Sequence, residues 1–290
     1  YKSQDWARGY WDEHMEIVDH WDYRPWRIWR TRPANGEYIN INQAGLRVVP
    51  NTECIEDTFT ILTFGGSTMW GYGAPDWGTI PAYLREQYEN AGEAVCIINY
   101  AGVAYTSTQE VIQLLLLLQD DRVPDMVIFY DGANDVTTAN RNGEAGTHFY
   151  YDQISEEIEG NVAFGSPEDE AQSPLLEVLQ ATNTSQLIQR FTQEEASEPG
   201  FSSPELAHEV VQTYLNNLEI VSSLADTYGF EFYAFWQPIL LFEEANITDE
   251  EQRALWEMPG NLPELFRLVY AEMEANAETN DTLTYFGDLL

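Results

Sequence analysis

Two kinds of hydrophobic spacing divide the chain. From Thr58 on, short apolar runs alternate with stretches whose apolar residues recur every three to four positions, and turn residues separate them. Residues 58–64 are a β-branched and aromatic run that closes on Gly65-Gly66, and 78–91 read as an amphipathic helix. A second buried strand is expected at 94–100, a helix at about 107–119, and a third strand at 126–130, between Pro124 and Gly132. Residues 204–228 are the longest helical pattern, with Leu206, Val210, Val211, Tyr214, Leu215, Leu218 and Val221 on one stripe. A fourth strand follows at 230–236, a helix at 261–276, and a fifth strand begins at 282–286. Strands that are apolar throughout belong to a sheet buried on both faces, so the expected fold class is α/β, a parallel sheet covered by helices on either side.

Two regions break this pattern. Residues 1–57 hold five of the nine tryptophans (Trp6, Trp11, Trp21, Trp26, Trp29), with a helical stretch at 4–21 and a short alternating strand at 36–42. They are expected to form an arm packed on the main core, with sugar-ring binding as the alternative. Asp12, His14, Glu16, Asp19 and His20 resemble a metal cluster, but His14 and His20 stand six apart and point to different helix faces, so they read as a solvated polar face. The second region, about 137–203, is an acidic insertion rich in Gly, Ser and Pro, with one apolar helical piece at 175–191. It is too long for a plain connector.

Charge changes the picture of partners. There are 13 basic against 49 acidic residues, a net charge of −36, and Lys2 is the only lysine. Phosphate binding needs basic side chains to displace counterions, so nucleic acid is not expected as a partner. An anionic membrane surface would repel the chain. The longest apolar stretch, 111–118, is broken by Gln113 and falls far short of the ~20 residues of a membrane-spanning helix. Self-repulsion at this charge is screened at ~1 M salt, where the Debye length is ~3 Å, which points to a saline medium. The melting temperature is therefore expected to rise from dilute buffer toward ~1 M NaCl; a flat profile would count against that reading. The chain opens on Tyr1 rather than Met, which reads as a trimmed start, and an extracytoplasmic location is expected. Nothing in the sequence sets an oligomeric state.

The two cysteines, Cys54 and Cys96, match no metal-ligand or redox spacing. Cys96 lies in the apolar run Ala94-Val-Cys-Ile-Ile98, where a small buried thiol is expected. A Cys54–Cys96 disulfide is the alternative.

Ligands of an open parallel sheet sit outside the carboxyl ends of its strands, which brings together 65–71, 99–107 and 130–135. Ser67, after two glycines, reads as a nucleophile, a phosphate-cradling hydroxyl or a helix N-cap. A phosphate loop would place a lysine beside it, where Thr68 and Met69 stand, and a G-x-S-x-G elbow fails at Met69. Asn134, beside Gly132, is able to aim its amide at an oxyanion formed by attack of Ser67, joined by backbone N–H groups of Ser67 and of the second loop. Trp70 and Tyr72 line a pocket or pack the core. His148, a loop histidine with nothing to orient it, receives no catalytic role.

Phe64-Gly-Gly-Ser67, then Asn99 through Tyr105-Thr-Ser107, then Gly132-Ala-Asn134-Asp135 resemble the successive motif blocks of the SGNH (GDSL-type) hydrolases. The resemblance runs from about Thr58 to the chain end. Trp29-Arg30 and residues 42–47 resemble the lead-in of uncharacterised members. It implies a three-layer α/β/α sandwich with a central parallel sheet, in which 1–57 is the arm and 58–290 the hydrolase domain. It also implies Ser67 as nucleophile, with oxyanion donors from Ser67, the second loop and Asn134, and neither metal nor cofactor. The expected function is a serine ester hydrolase that forms an acyl-enzyme on an O-acetyl sugar, a short-chain ester or a lipid. The alternative is a catalytically silent carbohydrate-binding or interaction module on the same fold. Three departures stand out. Gly66 replaces the common Asp, and Ala104 occupies the second block's glycine position, with Gly102 as the other donor if the loop is shifted. The Asp-x-x-His that would supply the base is missing: none of His14, His20, His148 and His208 has an Asp three residues before it. That motif is expected beyond Leu290, and residues 1–290 alone are expected to be inactive.

Overall fold

The computed structural model describes residues 4–18, 20–163, 200–239, 261–280 and 282–287. The aromatic N-terminal stretch forms α1 (Ala7–Ile17), an antiparallel hairpin of β1 (Trp21–Arg24) and β2 (Ile28–Thr31), and the short pair β3 (Ala34–Asn35) and β4 (Asn40–Ile41). The first helix is shorter than the expected 4–21. Ala7, Tyr10 and His14 recur at helical spacing and form its buried face. His14 is therefore not part of a solvated face. It is 3% exposed, bonded through Nδ1 to the Tyr10 hydroxyl at 3.2 Å, and its ring meets the edge of Tyr72. Asp12, Glu16 and His20 are exposed, and Asp19 lies outside the described residues.

From Phe59 strands and helices alternate. They are β5 (Phe59–Gly65), α2 (Ser67–Trp70), α3 (Ile80–Ala91), β6 (Val95–Asn99), α4 (Ser107–Gln119), β7 (Met126–Asp131), α5 (Ala133–Asn142), α6 (Tyr151–Ala163), α7 (Pro204–Tyr228), β8 (Glu231–Trp236), α8 (Leu262–Ala277) and β9 (Leu283–Tyr285). Strands β5 to β9 pair in parallel in the order β6-β5-β7-β8-β9. Successive side chains of a strand face opposite ways. Leu62, Phe64, Val127 and Phe129 accordingly join the large core under α4, α7 and α8, while Ile61, Ile97, Met126 and Ile128 face α3. These are the three layers, helices on both faces of a parallel sheet, as the sequence led us to expect. On the α3 side Tyr10, Val18, Ile39 and Ile41 of the N-terminal stretch pack on Met69, Trp70 and Ala101.

Helix ends follow local rules. In α7 the Ser203 hydroxyl accepts from the Leu206 N–H at 3.1 Å, Pro204 opens the first turn, and Gly229 closes the helix at φ 81°. The apolar piece expected at 175–191 lies outside the described residues. No helix among the described residues is long and apolar enough to cross a membrane.

Cys96 is not a free thiol: it forms a disulfide with Cys54. Strand β6 is an edge strand, and the segment holding Cys54 runs beside it, where the Thr52 hydroxyl accepts the Ile97 N–H at 2.9 Å. The link closes a separation of 42 residues and covers a sheet edge that would otherwise offer unpaired backbone groups. Cys54→Ser with Cys96→Ser is expected to lower stability by roughly 2–4 kcal/mol, read as a drop in melting temperature that a reducing agent reproduces in the parent protein. An unchanged melt would show that the hydrogen bonds of 52–54 hold this edge unaided.

Candidate active site

The strand order reverses between β5 and β7: the chain leaves β5 toward β6 on one side and β7 toward β8 on the other. Loops that diverge in this way leave a crevice at the carboxyl ends of the two strands. Ser67 follows β5 and Asn134 follows β7. Ser67 is the first residue of α2, and the N-cap position belongs to Gly66, so Ser67 does not cap the helix. It is half-buried, and its backbone N–H lies in the first turn, where no intrahelical acceptor exists. Among the described residues its hydroxyl makes no hydrogen bond.

The second loop narrows the choice of donor. The Gly102 N–H is committed to the Gly65 carbonyl at 3.0 Å, whereas the Ala104 N–H makes no hydrogen bond among the described residues. Ala104 has φ 60°, a left-handed conformation rare for alanine. Asn134 donates Nδ2 to the Tyr105 carbonyl at 2.8 Å, which leaves its other amide hydrogen uncommitted among the described residues. The same nitrogen presses on Gly66, where any Cβ would overlap it. The three sequence-picked residues are thus tied together: Asn134 touches the residue before Ser67 and bonds the residue after Ala104. Gly132 turns the chain toward Asn134 at φ 131°, with the Trp236 ring against the space a Cβ would fill.

None of the four histidines bonds Ser67. His14 is buried against Tyr10, His20 is exposed, and His208 pairs with Glu272 at 2.7 Å on an exposed face. His148 accepts the Tyr150 N–H on Nδ1 at 3.1 Å, and burial lowers its pKa. Trp70 is a core residue, 1% exposed beneath the Arg47 guanidinium at 4.5 Å, while Tyr72 is 48% exposed. Among the described residues no group of three or more His, Cys, Asp or Glu is placed to hold a metal ion.

Beneath the strand ends lies a feature that pattern reading missed. Glu110, Asp131 and Asp135 are all buried. Glu110 and Asp131 are raised well above the usual carboxylate range, chiefly by burial and then by neighbouring negative charge. Asp135 accepts from the Ser107 hydroxyl at 2.6 Å and the Ser107 N–H at 3.1 Å; burial outweighs these bonds and pushes it up to about 6. A folded state that holds a proton the unfolded chain has released is most stable below the unfolded value of 3.8, and it loses that advantage as pH rises through about 6. For this group the slope reaches about 1.4 kcal/mol per pH unit at most. Asp135→Asn keeps an acceptor for Ser107 and is expected to flatten stability between pH 4 and about 6.5, measured by urea midpoints. An unaltered slope would assign the dependence to Glu110 and Asp131 instead.

No family model and no curated protein matches the chain. Solved structures similar to it include a psychrotrophic esterase, EstA, from Pseudoalteromonas sp., at 14% identity and TM-score 0.35, covering 79% of this chain and 77% of that one. A G-D-S-L family protein from Desulfitobacterium hafniense DCB-2 is 11% identical at TM-score 0.36, covering 79% and 78%. The acetyl xylan esterase AlAXEase is 13% identical at TM-score 0.37, covering 79% and 77%.

The N-terminal stretch also reaches the site. Arg47 is buried, pairs with Asp76 at 2.9 Å, and donates to the carbonyls of Gly71 and Ala74, each at 2.6 Å, in the loop after α2. In the sequence Arg47 stood out only as the end of residues 42–47, the stretch noted above for its resemblance.

Proposed function

We propose that the protein is a serine ester hydrolase that works through an acyl-enzyme, of the SGNH type. The observation that carries this reading is the Asn134 amide, anchored on the Tyr105 carbonyl and packed on Gly66 next to Ser67. In the proposed reaction Ser67 Oγ attacks the ester carbonyl carbon as its proton passes to a base. The oxyanion is received by the N–H of Ser67, the N–H of Ala104 and the free amide hydrogen of Asn134, donors that need no rearrangement as charge develops. Collapse expels the alcohol, and water then releases the acid from Ser67. The resemblance assigns the base to an Asp-x-x-His segment after the fifth strand, and β9 ends at the same sheet edge as the other groups. Carboxylic esters are the substrate class: O-acetyl sugars, short-chain esters or lipids.

The second reading is a carbohydrate-binding module that carries out no chemistry. It is favoured by the exposed aromatic rings of the N-terminal stretch, Tyr23 and Trp26, each 71% exposed, and by the lack of a histidine on Ser67 among the described residues. Ser67-dependent hydrolysis of p-nitrophenyl acetate by the natural gene product separates the two. Binding of acetylated oligosaccharide without turnover would favour the module.

A further inference from the structure

We propose that the hairpin β1–β2 is a positioning element for the second oxyanion loop, with Trp29 and Arg30 as positioning residues that fix the direction of the Ala104 N–H. This deepens the ester-hydrolase reading and rests on it. The loop between β6 and α4 has no regular structure, and it is tied on both sides of Ala104 to one residue. Trp29 Nε1 donates to the Val103 carbonyl at 3.0 Å, and the Tyr105 hydroxyl donates to the Trp29 carbonyl. Arg30, itself buried, holds the start of the loop: Nη1 donates to the Ala101 carbonyl at 2.8 Å and Nη2 to the Tyr100 carbonyl at 2.7 Å. Its guanidinium also lies over the Tyr105 ring at 4.9 Å.

The conformation of Ala104 explains why such restraint is needed. A non-glycine residue with left-handed φ is held against its own preference and persists only where its surroundings over-determine it. The Gly102 N–H bond to Gly65 fixes the loop from the sheet side, and Trp29 with Arg30 fixes it from the arm. Released from the arm, residue 104 would relax toward negative φ, which rotates its peptide plane and turns the N–H away from the crevice. Asn134 would be affected as well, because its anchor is the carbonyl of Tyr105.

The test compares Trp29→Phe and the pair Trp29→Phe with Tyr105→Phe against Glu13→Gln in the natural gene product. Tyr105→Phe keeps its ring and removes only the O–H donor, whereas Trp29→Phe removes the N–H donor together with part of a buried ring, which is why the melting temperature is followed beside kcat. Glu13 anchors the same arm elsewhere, accepting the N–H groups of Glu37, Tyr38 and Ile39 at 2.9, 3.1 and 2.6 Å. The double variant is expected to lose about tenfold in kcat on p-nitrophenyl acetate with KM within about twofold, and to exchange the amide hydrogens of 103–105 faster. Trp29→Phe alone should show the same pattern more weakly. Glu13→Gln should lower the melting temperature and leave kcat within about twofold. Unchanged kcat in the double variant overturns the proposal, as does a kcat loss that follows melting temperature equally in all three. If the parent protein shows no Ser67-dependent hydrolysis, the ester-hydrolase reading fails by itself. Amide exchange then decides: faster exchange at 103–105 keeps the hairpin as the holder of the loop, and unaltered exchange removes it.

Discussion

Ser67→Ala is expected to abolish ester hydrolysis by the natural gene product, a fall of about four orders of magnitude or more, while the melting temperature stays within about one or two degrees. The loss is large because Ser67, at the carboxyl end of β5 and next to the Gly66 on which the Asn134 amide packs, supplies the attacking oxygen in the proposed reaction. The oxyanion donors remain in the variant, yet without a nucleophile they act only on attack by water. Stability should hardly change, since the hydroxyl is half-buried, does not cap α2 and has no hydrogen bond among the described residues. Initial rates on p-nitrophenyl acetate with matched melting curves are the measurement. A variant that keeps its rate would take Ser67 out of the mechanism and leave the fold without its assigned nucleophile.

Asn134→Ala should reduce kcat by roughly 10²–10³, the usual cost of one oxyanion donor, with a smaller change in KM. The side chain has two duties that the variant separates. Its bond to the Tyr105 carbonyl at 2.8 Å braces two loops, and losing it should cost about 1 kcal/mol of stability. Its second hydrogen is the one that the proposed reaction offers to the oxyanion. If kcat is retained while stability falls, bracing is the whole of its role; a large kcat loss at nearly constant KM assigns it to the transition state.

Much of the scaffold was legible because a doubly covered parallel strand must be apolar on both faces. The runs at 58–64, 94–100, 126–130 and 230–236 correspond to β5, β6, β7 and β8 with only small differences at their ends. The turns that hold Ser67 and Asn134 were legible for a related reason: small or glycine-rich turns after such strands have to meet at one edge of the sheet; Ala104 was picked only through the resemblance, with Gly102 as its alternative. The helical spacing of Tyr10 and His14 was also present, but charge and histidine content drew the reading of that segment toward solvent. The hydrogen bond to Tyr10 makes burial of the imidazole tolerable, and no local pattern announces it.

By itself, then, the sequence determined the layers, the strand succession and the small-residue turns at the strand ends, because each depends on the period of apolar residues or on local backbone freedom. Tertiary structure alone decided the rest. It joined Cys54 to Cys96, committed the Gly102 N–H and left that of Ala104 without a partner among the described residues, gathered Glu110, Asp131 and Asp135 under the site, and brought Trp29, Arg30 and Arg47 onto its loops. These are contacts between residues 24 to 76 positions apart in most cases, as with Arg47 to Gly71 and Tyr105 to Trp29. A hydrogen bond depends on direction and distances of about 3 Å. Such geometry arises only after the sheet has set where each loop ends, so it leaves no periodic trace along the chain.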